Sequence, residues 1–227
     1  MTEAGDSDLQ GPVQKGELSF RAYGVEDLER CTQLSTSAWR GLFSFAGEEG
    51  EANLMRFSVE FYTATATWQE VACISGNVVG LLFGKVDSDL PSFAAIRTFL
   101  ADSRVYLKLL AGSYGKIPKR TKVMRLGISD DRNIRANSPV ADGEVTFLVV
   151  DESYRGMGIG RQLMDRFVAH ARSKNAKKIT VNTTDPICNW EFYEQYGFKR
   201  FSSFRDGLSS YALNREVKML ILELNIE

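Results

Sequence analysis

Histidine is almost missing from this chain: His170 is the one histidine in 227 residues. A multi-histidine metal site is therefore excluded, and a Ser-His-Asp triad would have to use His170. Cysteine is sparse and odd in number, with Cys31, Cys73 and Cys188 far apart. No C-x-x-C pair exists, which removes zinc ribbons and thioredoxin-type redox motifs and reads as three reduced thiols in a cytosolic protein. Charge of one sign is also lacking: 28 Lys plus Arg face 29 Asp plus Glu, for a net charge of −1. A chain so balanced does not grip nucleic acid through its global field, although a local patch still can. No apolar run approaches the roughly 18 residues of a membrane span. The opening MTEAGDSDLQ is polar and acidic and has no apolar core of a signal peptide, so the expectation is a soluble, cytoplasmic protein.

What is present has the pattern of a mixed α/β domain. Residues 1–16 are polar and Gly-rich and read as a disordered tail. ELSFRAY (17–23) alternates as a strand, and Val25, Leu28, Cys31, Leu34 and Ala38 recur at helical spacing. Residues 40–51 read as a turn carrying Glu48, Glu49 and Glu51, followed by a helix from about Ala52 to Thr65. Two β-rich runs around Gly76-Asn77 predict a hairpin. Residues 92–115 predict one amphipathic helix or two. From Lys116 to Arg135 seven basic residues meet two acidic ones, and the stretch reads first as a solvated loop. A surface for a phosphate or an anionic partner is the alternative. EVTFLVV (144–150) predicts a strand buried on both faces. A helix striped with Leu163, Met164 and Phe167, a strand at 177–184, a short helix at 189–196 and two last strands at 198–204 and 218–226 complete the pattern.

Between strand 144–150 and the next helix stands RGMGIG, residues 155–160. The first N–H groups of a helix have no internal partner, and the macrodipole adds partial positive charge there. Gly156, Gly158 and Gly160 let a phosphate oxygen approach that backbone, and Arg155 and Arg161 flank it. No Gly-Lys-Ser/Thr follows, so a Walker loop fails. Arg161 stands where a dinucleotide fingerprint needs its third glycine, and too little chain remains for two βαβ halves.

Arg155-Gly156-Met157-Gly158-Ile159-Gly160 resembles the pyrophosphate-binding signature Q/R-x-x-G-x-G/A of the GNAT superfamily of acyl-CoA-dependent N-acyltransferases. NWEFYEQYGF (189–198) resembles that superfamily's second signature, a helix ending in F-Y-x-x-x-G-F. The likeness covers 142–204 and extends to 17–86, leaving about 87–140 as an insertion in a single domain over 17–227. The resemblance implies a mostly antiparallel, twisted sheet with a splayed central strand and helices on both faces. It implies acetyl-CoA as co-substrate, no metal, and acetyl transfer to a primary amine, small molecule or peptide, by direct attack in a ternary complex. By the same resemblance Leu148, Val149 and Val150 offer backbone bonds to the pantetheine arm, Tyr193 acts as general acid and Glu144 as base. Many members carry Asn seven residues before the tyrosine; here that residue is Pro186, and Asn189 is the substitute at hand.

The chemistry agrees with that set. An amine of pKa near 10 must lose a proton before it attacks, and a departing thiolate of pKa around 8.5 can take one from a phenol. Glu144 is alternatively a solvated strand-end residue and Tyr193 a core aromatic. His170 and Cys188 read as packing residues. On the acceptor side the resemblance places Trp39, Phe43, Phe45, Glu48, Glu49 and Glu51, an acidic rim for a cationic amine or a solvated turn. Two rival readings are a non-catalytic acyl-CoA sensor and a nucleic-acid-associated protein using 116–135. Oligomeric state is open, a homodimer included.

Overall fold

Two residues with positive φ, Ser75 at 50° and Gly76 at 81°, close the first hairpin of the chain. That pair suits the right-handed twist of flanking strands and places the turn one residue earlier than the sequence suggests. The hairpin joins β2 (Trp68–Ile74) to β3 (Asn77–Val86), with Ile74 opposite Asn77. The computed structural model describes residues 16–90 and 94–227, with only the backbone of 94–102. Most of the expected N-terminal tail, 1–15, and residues 91–93 lie outside the described residues. Seven strands form one sheet in the order β1-β2-β3-β4-β5-β7-β6, with β1 at Leu18–Ala22 and β4 at Gly143–Val150. The others are β5 (Lys178–Asp185), β6 (Lys199–Arg205) and β7 (Lys218–Asn225). Every neighbouring pair is antiparallel except β4–β5, so the mixed, mostly antiparallel α/β sheet is as expected.

Helices cover both faces. On one, α5 (Ile159–Ser173) and α6 (Trp190–Tyr196) bury Leu163, Met164, Phe167 and Tyr193 against Leu82, Val145 and Val181. On the other, α1 (Leu28–Ala38) and α2 (Gly47–Thr65) bury Cys31, Leu34 and Val59 against Leu81, Phe83, Phe147 and Val149. β4 is thus packed on both sides. An extra residue at Thr146, where the register with β3 shifts, turns Val145 to the α5 face and Phe147 to the α1–α2 face. Close approach is built into β3: a Cβ on Gly84 would run into the Phe167 ring. Gly84→Ala is expected to cost about 1–3 kcal/mol, as overpacking does, seen as a melting temperature lowered by several degrees.

Three local expectations are corrected. Val25 is not on the apolar stripe of the first helix; it sits in a 3-10 turn, 84% exposed. The second helix starts at Gly47 rather than near Ala52, so Glu48 and Glu49 occupy its first turn, where the helix dipole favours acids. Residues 116–135 are not a loop: α4 runs Arg120–Asn137. Its helix is held by tertiary contacts, since Val123 enters a third core with Leu54 and Leu109, and Asp130 accepts from Gly207 and Leu208 N–H at 2.9 and 2.8 Å. α3 (Ala94–Ala111) precedes it, and α7 (Gly207–Leu213), which the sequence pattern did not suggest, follows β6.

Candidate functional site

β4 and β5 run side by side only from Gly143–Val145 against Ile179–Val181. Beyond those residues the pairing stops while both strands continue, to Val150 and Asp185. The two strands therefore part in the middle of the sheet. Leu148, Val149 and Val150 remain paired with β3 opposite Leu82, Leu81 and Gly80, and their β5 side faces the gap. An open strand edge of this kind offers amide and carbonyl groups to an extended ligand.

At the end of β4 the chain enters the glycine-rich loop. Asp151 fixes its start: Arg30 binds it at 2.9 Å, and it accepts from Ser153 N–H at 3.0 Å. Gly156 and Gly158 take φ of 77° and 76°, a region that favours glycine. A Cβ at Gly156 would meet nothing within 4 Å, so the backbone there is open to an incoming group. From Gly156 to Arg161 the backbone N–H groups donate to no acceptor among the described residues. Arg155, Met157 and Arg161 are exposed around them, while Ile159 is buried in the core and can contribute only its backbone. Gly160 packs against Phe192 and Val150. A bank of free amides at the head of a 15-residue helix, with two arginines beside it, is an anion-binding arrangement.

Glu144 and Asn182 stand where the strands part. Asn182 Nδ2 donates to Glu144 Oε1 at 2.6 Å. Burial pushes the Glu144 carboxyl up to about 7, with Lys85 opposing the rise and Asp131 and Asp87 adding to it. Its charge bears on Tyr62, whose phenol burial raises first; the Tyr62 ring stacks on Phe147 at 4.9 Å. Two buried polar atoms here have no partner among the described residues, Asn182 Oδ1 and Thr183 Oγ1. Buried polar atoms are normally satisfied, so this is a place for a water or a ligand atom. Asn182, Thr183 and Tyr62 were not singled out from the sequence, because their relevance comes from where β4 and β5 diverge.

Tyr193 lies on the other face, 9% exposed, edge-on to Phe192 at 5.2 Å and Phe198 at 5.8 Å. Burial raises its phenol, and its hydroxyl has no hydrogen-bond partner among the described residues. Cys188 is half-buried in the loop between β5 and α6. Asn189 caps α6, its side chain accepting from Phe192 N–H at 3.3 Å. His170 is half-buried against Asp89 at 2.6 Å. Of the acceptor-side residues, Glu51 is turned inward to accept from Phe43 N–H at 3.2 Å, and Phe43 is buried. The basic segment is partly engaged as well: Lys122 lies over the Tyr211 ring at 4.0 Å, and Arg135 pairs with Asp131 at 2.9 Å. Among the described residues no group of three His, Cys, Asp or Glu is gathered as for a metal, and no helix is long and apolar enough to cross a membrane.

Comparison with known proteins bears on the same region. Residues 123–198 match a family described as Acetyltransferase (GNAT) family, beginning inside α4. A stretch of 56 residues is 38% identical to glucosamine 6-phosphate N-acetyltransferase 1 of Oryza sativa subsp. japonica, covering 25% of this chain and 33% of that enzyme. The match thus spans only about a third of the relative's length. Among solved structures, a GNAT-family protein from Desulfovibrio desulfuricans superposes with a TM-score of 0.54 at 14% identity, over 93% of this chain and 100% of that one. An N-acetyltransferase from Staphylococcus aureus Mu50 gives 0.54 at 14%, over 93% and 99%. The ribosomal-protein-S18-alanine N-acetyltransferase from Escherichia coli gives 0.52 at 12%, over 93% and 95%. At such identities the likeness is one of fold, and it extends through nearly the whole chain.

Proposed function

We propose that this chain, whose residues 123–198 match the Acetyltransferase (GNAT) family, moves an acetyl group from acetyl-CoA to a primary amine by direct attack. One observation carries the reading: the parted strands β4 and β5 open next to a loop whose amides, Gly156 to Arg161, have no acceptor among the described residues. The loop amides and the Arg155 and Arg161 guanidiniums would hold the pyrophosphate. The open edge of Leu148–Val150 would align the pantetheine arm. Acetyl-CoA supplies the thioester; the chain supplies position and protons.

In this reading Glu144 accepts the proton that the amine must lose. The reach is through a water held by Asn182 Oδ1, the buried oxygen that lacks a partner. A backbone N–H on the gap side of β4 donates to the carbonyl oxygen as charge develops there. Tyr193 donates its hydroxyl to the departing sulfur. Burial, which raises its pKa, keeps it protonated for that purpose. Cys188 is not a nucleophile here, since among the described residues no histidine stands by to activate it. The three unpaired thiols suit a reducing compartment, and action in the cytoplasm is part of the proposal.

The direct test is calorimetric titration with CoA, together with thiol release from acetyl-CoA in the presence of primary amines. Binding and amine-dependent release are expected; binding without release from any amine would favour a sensor, and no binding would overturn the proposal. Thiol labelling offers an independent check. Cys31 and Cys73 are buried, and burial pushes the Cys31 thiol up to about 12. One thiol per native chain, Cys188, is expected to react with Ellman's reagent, and saturating desulfo-CoA should slow it. Rapid reaction of all three thiols would contradict the core described above.

A further inference from the structure

A cleft of about 200 Å³ opens between the end of α1, the loop after β5 and the end of α7. Its walls include Trp39, Arg40, Leu42, Ile187, Leu213 and Arg215, and no acidic residue among the described ones lines it. Arg40 and Arg215 are both exposed, and neither makes an ion pair or side-chain hydrogen bond among the described residues. Arg21, Arg30, Arg56, Arg135, Arg166 and Arg200 each face a carboxylate; Arg40 and Arg215 are unpaired arginines that share one cleft. Two guanidiniums without an ion-pair partner among the described residues, in one cleft whose other lining side chains are apolar, make a region of positive potential suited to a carboxylate or phosphate.

The cleft adjoins the gap between β4 and β5. Trp39 leans on Phe147 at 5.0 Å, and Phe147 stacks on Tyr62, which feels the charge of Glu144. Ile187, also in the lining, lies in the short loop that leads into α6, the helix that carries Tyr193. The acids of the 48–51 segment do not line this cleft. Glu51 accepts from the Phe43 amide, Glu49 lines a separate cleft together with Lys116 and Arg120, and Glu48 is exposed at the start of α2.

We propose that the acceptor is an amine bearing an anionic group, carboxylate or phosphate, which Arg40 and Arg215 hold while Trp39 and Leu42 pack its apolar part. The proposal rests on the acetyltransferase reading above and names the substrate class of that site. It replaces a cationic acceptor, for which the 48–51 segment alone had argued.

The test compares four acceptors with acetyl-CoA: O-phosphoethanolamine, β-alanine, ethanolamine and 1,3-diaminopropane. KM for one or both anionic amines should be at least tenfold below that for ethanolamine, and the two arms separate phosphate from carboxylate recognition. In the double variant R40Q/R215Q that preference should fall to near one, the change appearing in KM, with CoA affinity and melting temperature retained as evidence of folding. Preference for 1,3-diaminopropane, equal use of all four, or a preference that survives in the double variant would overturn the proposal. Should none of the four be acetylated, saturation-transfer NMR with O-phosphoethanolamine and β-alanine in the presence of CoA decides separately. Binding lost in R40Q/R215Q supports the anion site while the transfer reading fails; no binding, or binding unchanged in the variant, overturns it.

Discussion

Replacing Tyr193 by Phe should lower kcat about 10²-fold while CoA binds as before. General acid catalysis contributes typically 10²–10⁴, and the lower end applies for a stated reason. The departing thiol has a pKa of about 8.5, well below that of a phenol, and burial raises Tyr193 further. Full proton transfer to a formed thiolate is uphill, so the hydroxyl contributes as a donor to developing charge rather than as a strong acid. The variant keeps the ring contacts with Phe192 and Phe198. Because the hydroxyl has no partner among the described residues, its removal should also leave the melting temperature almost unchanged. Stopped-flow or steady-state turnover at saturating acetyl-CoA reads the effect. Unchanged kcat would reduce Tyr193 to a core aromatic and leave protonation of the sulfur to solvent.

Glu144→Gln should act on the other proton, lowering kcat/KM by about 10² or more at pH 8. In the wild type the carboxylate is the active form, so activity should rise with pH through about 7 and level off above it. The variant should lose that limb. Stability moves in the opposite direction, and the sign follows from the same displaced pKa. The folded state holds Glu144 at about 7 against an ordinary value of 4.5. It therefore binds a proton more tightly than the unfolded chain does, and the stability this brings is present in acid and lost as pH rises from about 4.5 to 7. The loss is at most about 3 kcal/mol, at about 1.36 kcal/mol for each pH unit separating the folded and unfolded values. Gln carries no such penalty, so above pH 7 the variant should melt higher than the wild type while turning over more slowly. A base needed for turnover but costly to the fold would show both effects at once; parallel loss of both, or neither, would remove Glu144 from the mechanism.

Legibility in the sequence followed the range of the interactions involved. Local signals, the alternating run at 144–150 and the stripe Leu163, Met164, Phe167, translated directly into β4 and α5. Turn chemistry was read to within a residue, the Ser75-Gly76 pair adopting the positive φ that the hairpin needs. Segments whose structure depends on partners far along the chain were misread. α4 has a polar, basic sequence, and its helix is held by Val123 in a core with Leu54 and by Asp130 on the end of α7. Glu51 looked like part of an acidic rim because nothing in its neighbourhood announces that it will turn inward to the Phe43 amide.

The sequence by itself determined the chemistry available: almost no histidine, a glycine-rich turn between a buried strand and a helix, and a tyrosine on a short helix closed by Gly197. These are properties of consecutive residues, governed by backbone conformation and helix ends, and they survive without knowledge of the rest of the chain. Tertiary structure alone decided where that chemistry is brought together. β4 and β5 separate after three paired residues, and Asn182 Oδ1, beside Glu144, has no partner among the described residues. Arg40 and Arg215, 175 positions apart in sequence, come to line one cleft. Strand divergence and uncompensated charge arise from long-range packing, where each residue's environment is made by segments that its own neighbours do not specify.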